Sequence, residues 1–117
     1  MALEHAKPGE IVDLAPLGSG LRQTPSTAIV KTAQFEAIRL VLPANTEIPA
    51  HQVPGNITLH CLEGEVELDI APTRIRLKAD QWTYLDGGAS HGVRAIVDTA
   101  LLLTIFLDGR GASNSNL

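Results

Sequence analysis

Short runs of aliphatic and β-branched residues, broken every few positions by Gly, Pro, Asn or Asp, fill the chain from Ala28 to Leu107. No window sustains an apolar residue at helical spacing. Runs of this length between turn formers predict strands, because a strand alternates its side chains between two faces, whereas a helix repeats every three to four residues. The predicted strands are Ala28 to Gln34, Glu36 to Leu42, Glu47 to Gln52, Ile57 to Leu62, Glu65 to Ile70, Thr73 to Lys78, Gln81 to Leu85, Gly92 to Val97 and Ala100 to Leu107. Many short strands with frequent turns predict an all-β sandwich or barrel.

The segment Glu65 to Lys78 is the clearest local element. Val66, Leu68 and Ile70 alternate with Glu65, Glu67 and Asp69, and Ile75 and Leu77 alternate with Arg74, Arg76 and Lys78. Folded back around Ala71 and Pro72, the two arms set Asp69 against Arg74, Glu67 against Arg76 and Glu65 against Lys78, while Leu68 meets Ile75 and Val66 meets Leu77. Charge and apolar pattern select the same register. Each such pair contributes only about 0.2 to 1 kcal/mol, so the charges specify pairing more than they stabilise it. Pro72 lacks the positive φ that a type I′ turn requires, which predicts a four-residue loop from Ile70 to Thr73. A second hairpin is expected around Asp98 and Thr99, joining Gly92 to Val97 with Ala100 to Leu107. That last run is apolar enough for burial on both faces, which predicts a central strand.

Length suits one domain over residues 1–108, with residues 1–25 as an N-terminal arm and edge strands; a globular chain of this size buries roughly two thirds of its unfolded surface. Residues 109–117 have almost no apolar content and are expected to be disordered. Aromatics are 3% of the chain against 44% hydrophobic residues overall, so the core must be aliphatic. A formal net charge of -4 argues against a nucleic-acid partner, which demands a basic surface. The stretch Met1 to Glu10 has no apolar stretch of the kind a secretory signal needs, and Ala100 to Leu107 is far short of the ~20 residues of a membrane helix. The single cysteine, Cys61, has no internal disulfide partner; it reads as a buried thiol before a reactive nucleophile, and a cytoplasmic location is expected.

Two histidines stand in strand settings marked by Pro and Gly. The stretch Leu42 to Ile70, LPANTEIPAHQVPGNITLHCLEGEVELDI, contains His51 and ends through the turn Leu62-Glu63-Gly64-Glu65. The stretch Leu77 to Val93, LKADQWTYLDGGASHGV, contains His91 after a Gly-rich turn. The first resembles the first motif of the cupin superfamily, in which a strand bearing HxH precedes a strand with a Glu ligand and ends in a Gly turn. The second resembles that family's second motif, which delivers one more histidine. The resemblance implies a cupin double-stranded β-helix, a jelly roll of two packed antiparallel sheets whose mouth houses any site, and it implies a homodimer.

Aligned on Gly64, His51 falls on the first histidine position, Val53 on the second, Ile57 on the glutamate and His91 on the histidine of the second motif. Two of the family's metal ligands are thus replaced by apolar side chains. Two imidazoles fall short of the three or four protein ligands of a catalytic metal site, so a divalent transition metal (zinc, iron, nickel or manganese) is expected to be weakly held or absent. His60 lies on the strand face opposite Ile57 and therefore points away from the barrel interior, and Gln52 points opposite to its neighbour His51. Trp82 and Tyr84 share one face of their strand, which reads as core filling or an interface anchor before ligand stacking. His5 reads as solvated, and Asp86-Gly87-Gly88 as a turn. The chain carries no P-loop, GxGxxG or HExxH motif.

The reading these residues favour is a barrel that binds a small organic molecule in an apolar pocket, lined by His51, Val53, Ile57, Leu59, Cys61, His91, Val93 and Phe106. One alternative is a metal-dependent oxygenase or isomerase using the two-histidine site of His51 and His91. Another is a non-catalytic dimer module whose working surface is the face bearing Thr58, His60 and Leu62.

Overall fold

The structure, a computed structural model, describes residues 5–107. Its strands are β1 (Thr27–Lys31), β2 (Phe35–Leu42), β3 (Glu47–His51), β4 (Ile57–Glu63), β5 (Glu65–Ile70), β6 (Thr73–Lys78), β7 (Trp82–Leu85), β8 (His91–Ala95) and β9 (Thr99–Phe106). They form a five-stranded sheet in the order β1-β2-β9-β4-β7 and a four-stranded sheet in the order β3-β8-β5-β6. Every pairing is antiparallel, and the inner faces close on one aliphatic core built from Leu59, Cys61, Val66, Leu68, Leu101 and their neighbours. This is the jelly roll the sequence predicts, with β9 at the centre of its sheet. Among the described residues no helix is long and apolar enough to cross a membrane.

The β5–β6 hairpin has the predicted register at every position from Glu65↔Lys78 to Asp69↔Arg74. Ile70 and Thr73 also pair, so the connection is Ala71 and Pro72 alone rather than a four-residue loop. The Ala71–Pro72 peptide is cis, the form in which proline occupies the third position of a four-residue turn.

The expected hairpin at Asp98 and Thr99 does not form. β8 belongs to the four-stranded sheet and β9 to the five-stranded one, so the chain crosses between layers here. The physical reason is that Val93 and Ala95 on one run and Leu101 on the other all need burial. Facing each other across the core satisfies both runs. Thr99 anchors the crossing: it is fully buried, and its hydroxyl accepts from the Glu65 N–H at 3.1 Å and lies 2.8 Å from the Val97 carbonyl. Gly64 packs against the same crossing with φ +87°, and a Cβ there would lie 2.4 Å from the Asp98 carbonyl oxygen. The Gly turn of the first motif is therefore a packing requirement as well as a backbone one.

Residues 5–26 contain no strand, contrary to the expected edge strands. Instead a 3-10 segment, Gly18–Gln23, lays Leu21 against Val41 and Ala100 on the outer face of the five-stranded sheet. The Glu63 carboxylate accepts from the backbone N–H groups of Leu17 and Gly18, and Arg22 pairs with Asp98 at 2.9 Å. Apolar content in this stretch is too sparse for a strand pattern, but Leu17 and Leu21 suffice to cover one end of a sheet.

Asp98 also accepts from the Ala44 N–H. The Arg22 guanidinium, aided by that amide, holds its carboxyl below the ordinary aspartate range. A lowered folded pKa stabilises above the unfolded pKa, and the contribution is lost as pH falls through the folded value. Asp98→Asn is therefore expected to lower stability at neutral pH and to match the parent protein in strong acid. Urea unfolding across the acid range measures this difference.

Candidate functional site at the barrel mouth

β3 is an edge strand, and its pairing with β8 is irregular between Ile48 and His51. Pro49 stands in that irregular stretch, where an edge strand can dispense with an N–H. Beyond it His51 lies directly opposite His91. Directly opposed residues project to one face, and Val93 and Ala95 put that face of β8 toward the core. Both imidazoles therefore stand at the mouth of the barrel.

Their ring centroids are 4.5 Å apart with the planes tilted by 56°. His91 is 5% exposed, whereas His51 is open to solvent. Nδ1 of His51 lies 3.1 Å from the Pro49 carbonyl, and Nδ1 of His91 lies 3.1 Å from the Ala89 carbonyl. A carbonyl only accepts, so in both rings Nδ1 carries the proton. In the neutral rings Nε2 is then the acceptor.

Two loops frame this pair, residues 52–56 and 86–90. Gly87 donates to the Asn56 side-chain oxygen at 2.8 Å, and Gly88 donates to the Val53 carbonyl at 2.8 Å. Asn56 in turn accepts from the Phe106 N–H through its own carbonyl. The loops touch too closely for side chains: a Cβ on Gly87 would lie 2.1 Å from the Pro54 oxygen. Asp86-Gly87-Gly88 is thus the turn the sequence predicts, and it ends by presenting the Ala89 carbonyl to His91.

The remaining predicted lining residues divide by depth. Val53 is half-buried at the mouth, close to the start of β4, where Ile57 begins the core-facing positions. Leu59, Cys61 and Val93 belong to the packed core with Ile57, at 0 to 6% exposure. Burial pushes the Cys61 thiol up to about 11, and its Sγ faces the Glu63 carbonyl at 3.4 Å. It stays protonated at neutral pH, which suits a packing role and not a nucleophile.

Phe106 is a correction. Leu101, Leu103 and Ile105 are the core-facing residues of β9, so Phe106 has the opposite parity and is 43% exposed on the outer face. His60 also lies on the outer face, as its parity predicts. Trp82 and Tyr84 fill no core, being 58% and 55% exposed.

A cleft of about 250 Å³ lies along β3 and β8, lined by Pro49, Ala50, Glu67, Asp69, Arg74 and Arg94 among others. A second, of about 410 Å³, lies between the N-terminal arm and β1. Neither is lined by His51 or His91.

Hydrogen bonds from Nδ1 to carbonyls are also how proteins orient metal-binding imidazoles. The donor set does not fit a resident metal, however. Val53 and Ile57 offer no ligand atom, and among the described residues no group of three His, Cys, Asp or Glu side chains converges.

No protein-family model matches the chain. Over 67 residues it is 30% identical to an uncharacterised protein of Aquifex aeolicus, a match covering 57% of this chain and 55% of that protein. The match thus spans about half the length of the curated relative. Solved structures are alike in fold over more of the chain. A conserved protein of unknown function from Streptococcus pyogenes superposes with a TM-score of 0.72 at 20% identity, covering 91% of this chain and 94% of its own. A cupin superfamily protein from Desulfitobacterium hafniense gives 0.69 at 13% identity, over 71% and 76%. An RmlC-like cupin from Shewanella frigidimarina gives 0.67 at 17% identity, over 89% and 91%. The chain has the cupin fold.

Proposed function

We propose that this cupin-fold chain binds a small organic molecule at the barrel mouth, with His51 and His91 as the polar groups that orient it. One observation carries the reading: two adjacent imidazoles each spend Nδ1 on a backbone carbonyl and keep Nε2 as an acceptor. Two acceptors side by side call for a ligand that brings a donor, a hydroxyl or an ammonium group. The half-buried, apolar Val53 suits the hydrocarbon part of the same molecule. Because Leu59 and Cys61 are packed into the core, the ligand sits on the mouth and not deep in the barrel. Fold alone assigns no chemistry, so the reading is of binding and names no reaction.

A thermal-shift screen of hydroxylated and amine-bearing small molecules tests it. A ligand present at 100 times its Kd is expected to stabilise the protein by about 2.7 kcal/mol. The shift should disappear in both His51→Ala and His91→Ala, each compared with its own unliganded melting temperature. A shift that survives both substitutions removes the pair from the site. Elemental analysis of untagged protein is expected to find metal well below one equivalent. A full equivalent of transition metal, lost in His91→Ala, would replace the metal-free reading by a metal-dependent one.

A further inference from the structure

The N-terminal arm is tied to β1 before it crosses the outer face of the sheet. The Ala6 N–H donates to the Ile29 carbonyl at 2.8 Å, at the point where the β1–β2 register slips. Lys7-Pro8-Gly9-Glu10 then reverses the chain: the Glu10 N–H donates to the Lys7 carbonyl at 2.9 Å, and Gly9 has φ +84°. Proline followed by a glycine of positive φ is the central pair of a type II turn. Past the turn, Ile11, Val12 and Asp13 form one wall of the cleft of about 410 Å³, with β1 and Arg39 of β2 opposite.

Arg39 is the unusual group in that lining. Leu40 and Leu42 pack against the core, so strand parity turns Arg39 to the outer face. Its Nε is buried and has no hydrogen-bond partner among the described residues. Folded proteins pair such donors, so one left over in the wall of a cavity calls for an acceptor that the cavity takes in. Glu10 and Asp13 line the same cleft, yet their carboxylate oxygens lie more than 4.0 Å from every guanidinium nitrogen of Arg39. Each gives one oxygen to a backbone N–H, Glu10 to Lys7 and Asp13 to Ala15, and keeps the other for a further donor.

These groups define what fits between them. A guanidinium fork matches a carboxylate through two parallel hydrogen bonds. His5 is the only other ionisable residue of the lining, so with histidine neutral two carboxylates stand against one cation. A phosphate, with its multiple negative charge, would meet repulsion there, whereas an ammonium group on the ligand would meet two acceptors. Ile11 is 97% exposed and Val12 is 41% exposed, and Ile29 adds a half-buried apolar side chain. An aliphatic chain on the ligand would cover them. The cleft also lies within the range of about 300 to 1,000 Å³ that small-molecule sites occupy.

We propose that the arm cleft is a second ligand site that takes a small aliphatic zwitterion, an α-amino acid such as leucine or its dipeptide. Its carboxylate sits on Arg39 and its ammonium group on Glu10 and Asp13. No lining residue is shared with the barrel mouth, so the two sites stand or fall separately.

Titration of the isotope-labelled full chain with L-leucine, followed by proton–nitrogen correlation spectra, tests this. Saturable shifts are expected at the Ala6, Val12, Asp13 and Ile29 amides and at the Arg39 Nε–H. A parallel titration with L-leucyl-L-leucine separates the two sources, the tighter binder being the one the cleft fits. Leucinamide, which lacks the carboxylate, and isocaproate, which lacks the ammonium group, should each bind at least about 10-fold more weakly, as when a charged hydrogen bond is left unmade. Inorganic phosphate should leave the Arg39 signal in place. Arg39→Lys keeps the charge without the fork and should weaken leucine binding at least about 10-fold. Asp13→Asn, at an exposed position, should weaken it as well. An Arg39 signal that moves with neither leucine compound overturns the proposal, and so do shifts confined to the His51, Val53 and His91 amides. Equal binding of leucinamide, isocaproate or phosphate also overturns it. If Arg39→Lys fails to fold, the analogue series on the unaltered chain decides the outcome.

Discussion

Gly55→Ala is expected to lower the melting temperature by about 10 to 20 °C, the size of shift that about 3 kcal/mol produces in a domain of roughly 100 residues. Gly55 is buried between the start of β4 and the end of β9, and a Cβ there would lie 1.8 Å from the Phe106 carbonyl oxygen and 2.9 Å from its carbon. Both are backbone atoms at the end of β9, so no side-chain rotation relieves the overlap. The loop must withdraw, and it takes with it the Phe106 N–H to Asn56 carbonyl bond of 2.9 Å. Overpacking costs about 1 to 3 kcal/mol and a lost hydrogen bond about 1 kcal/mol more. Val53 belongs to the same loop, so ligand binding at the mouth should weaken with stability. Gly88→Ala is the comparison: nothing lies within 4 Å of its Cβ, and only its φ of +84° opposes a side chain. That conformational cost is about 1 to 2 kcal/mol. Parallel calorimetry of the two variants should show Gly55→Ala clearly the more damaging.

Leu59→Ala should destabilise the protein by about 3 kcal/mol, within the 2 to 5 kcal/mol typical of emptied core leucine sites. Leu59 is 2% exposed and is paired with Leu103 on the central strand and Thr83 on β7. It belongs to the core cluster to which both sheets contribute, so the space it leaves is not expected to close by a local shift. In denaturant titration the midpoint should fall while the slope stays constant, the signature of lost stability with unchanged exposed surface. The result bears on function directly. A leucine lining an open pocket is already in contact with water, and its truncation would cost much less and would leave more room for ligand. A loss near 3 kcal/mol therefore confines binding to the mouth.

The pairing of His51 with His91 was legible through the resemblance to the two cupin motifs, aligned on Gly64 and on the Asp86-Gly87-Gly88 turn, and strand parity relative to Ile57 puts His60 on the outer face. Parity needs only a strand start and a period of two. It failed for Phe106 because Ala100 to Leu107 is apolar at almost every position, so composition does not distinguish inward Ile105 from outward Phe106. The Nδ1 bonds were beyond sequence reading altogether. They depend on where the Pro49 and Ala89 carbonyls point, and those directions come from the irregular β3–β8 pairing and the loop at 86–90.

Local pattern by itself determined the strands, the β5–β6 register and the aliphatic core, since each follows from alternation within a few residues and from charges that must oppose their opposites. The resemblance to the two cupin motifs, and not the pattern, singled out His51 and His91 and put Val53 and Ile57 at that family's other ligand positions. Tertiary structure decided which strands became neighbours. β8 and β9 adjoin in the chain yet lie in different sheets, because two apolar runs bury more surface facing each other across a core than lying side by side. It also decided what fills the barrel and what is left bare: Leu59 and Cys61 are packed, whereas Trp82 and Tyr84 stand in solvent. Sequence cannot separate those outcomes, because an apolar residue is equally suited to a core, a pocket or an interface, and only the atoms opposite it select one.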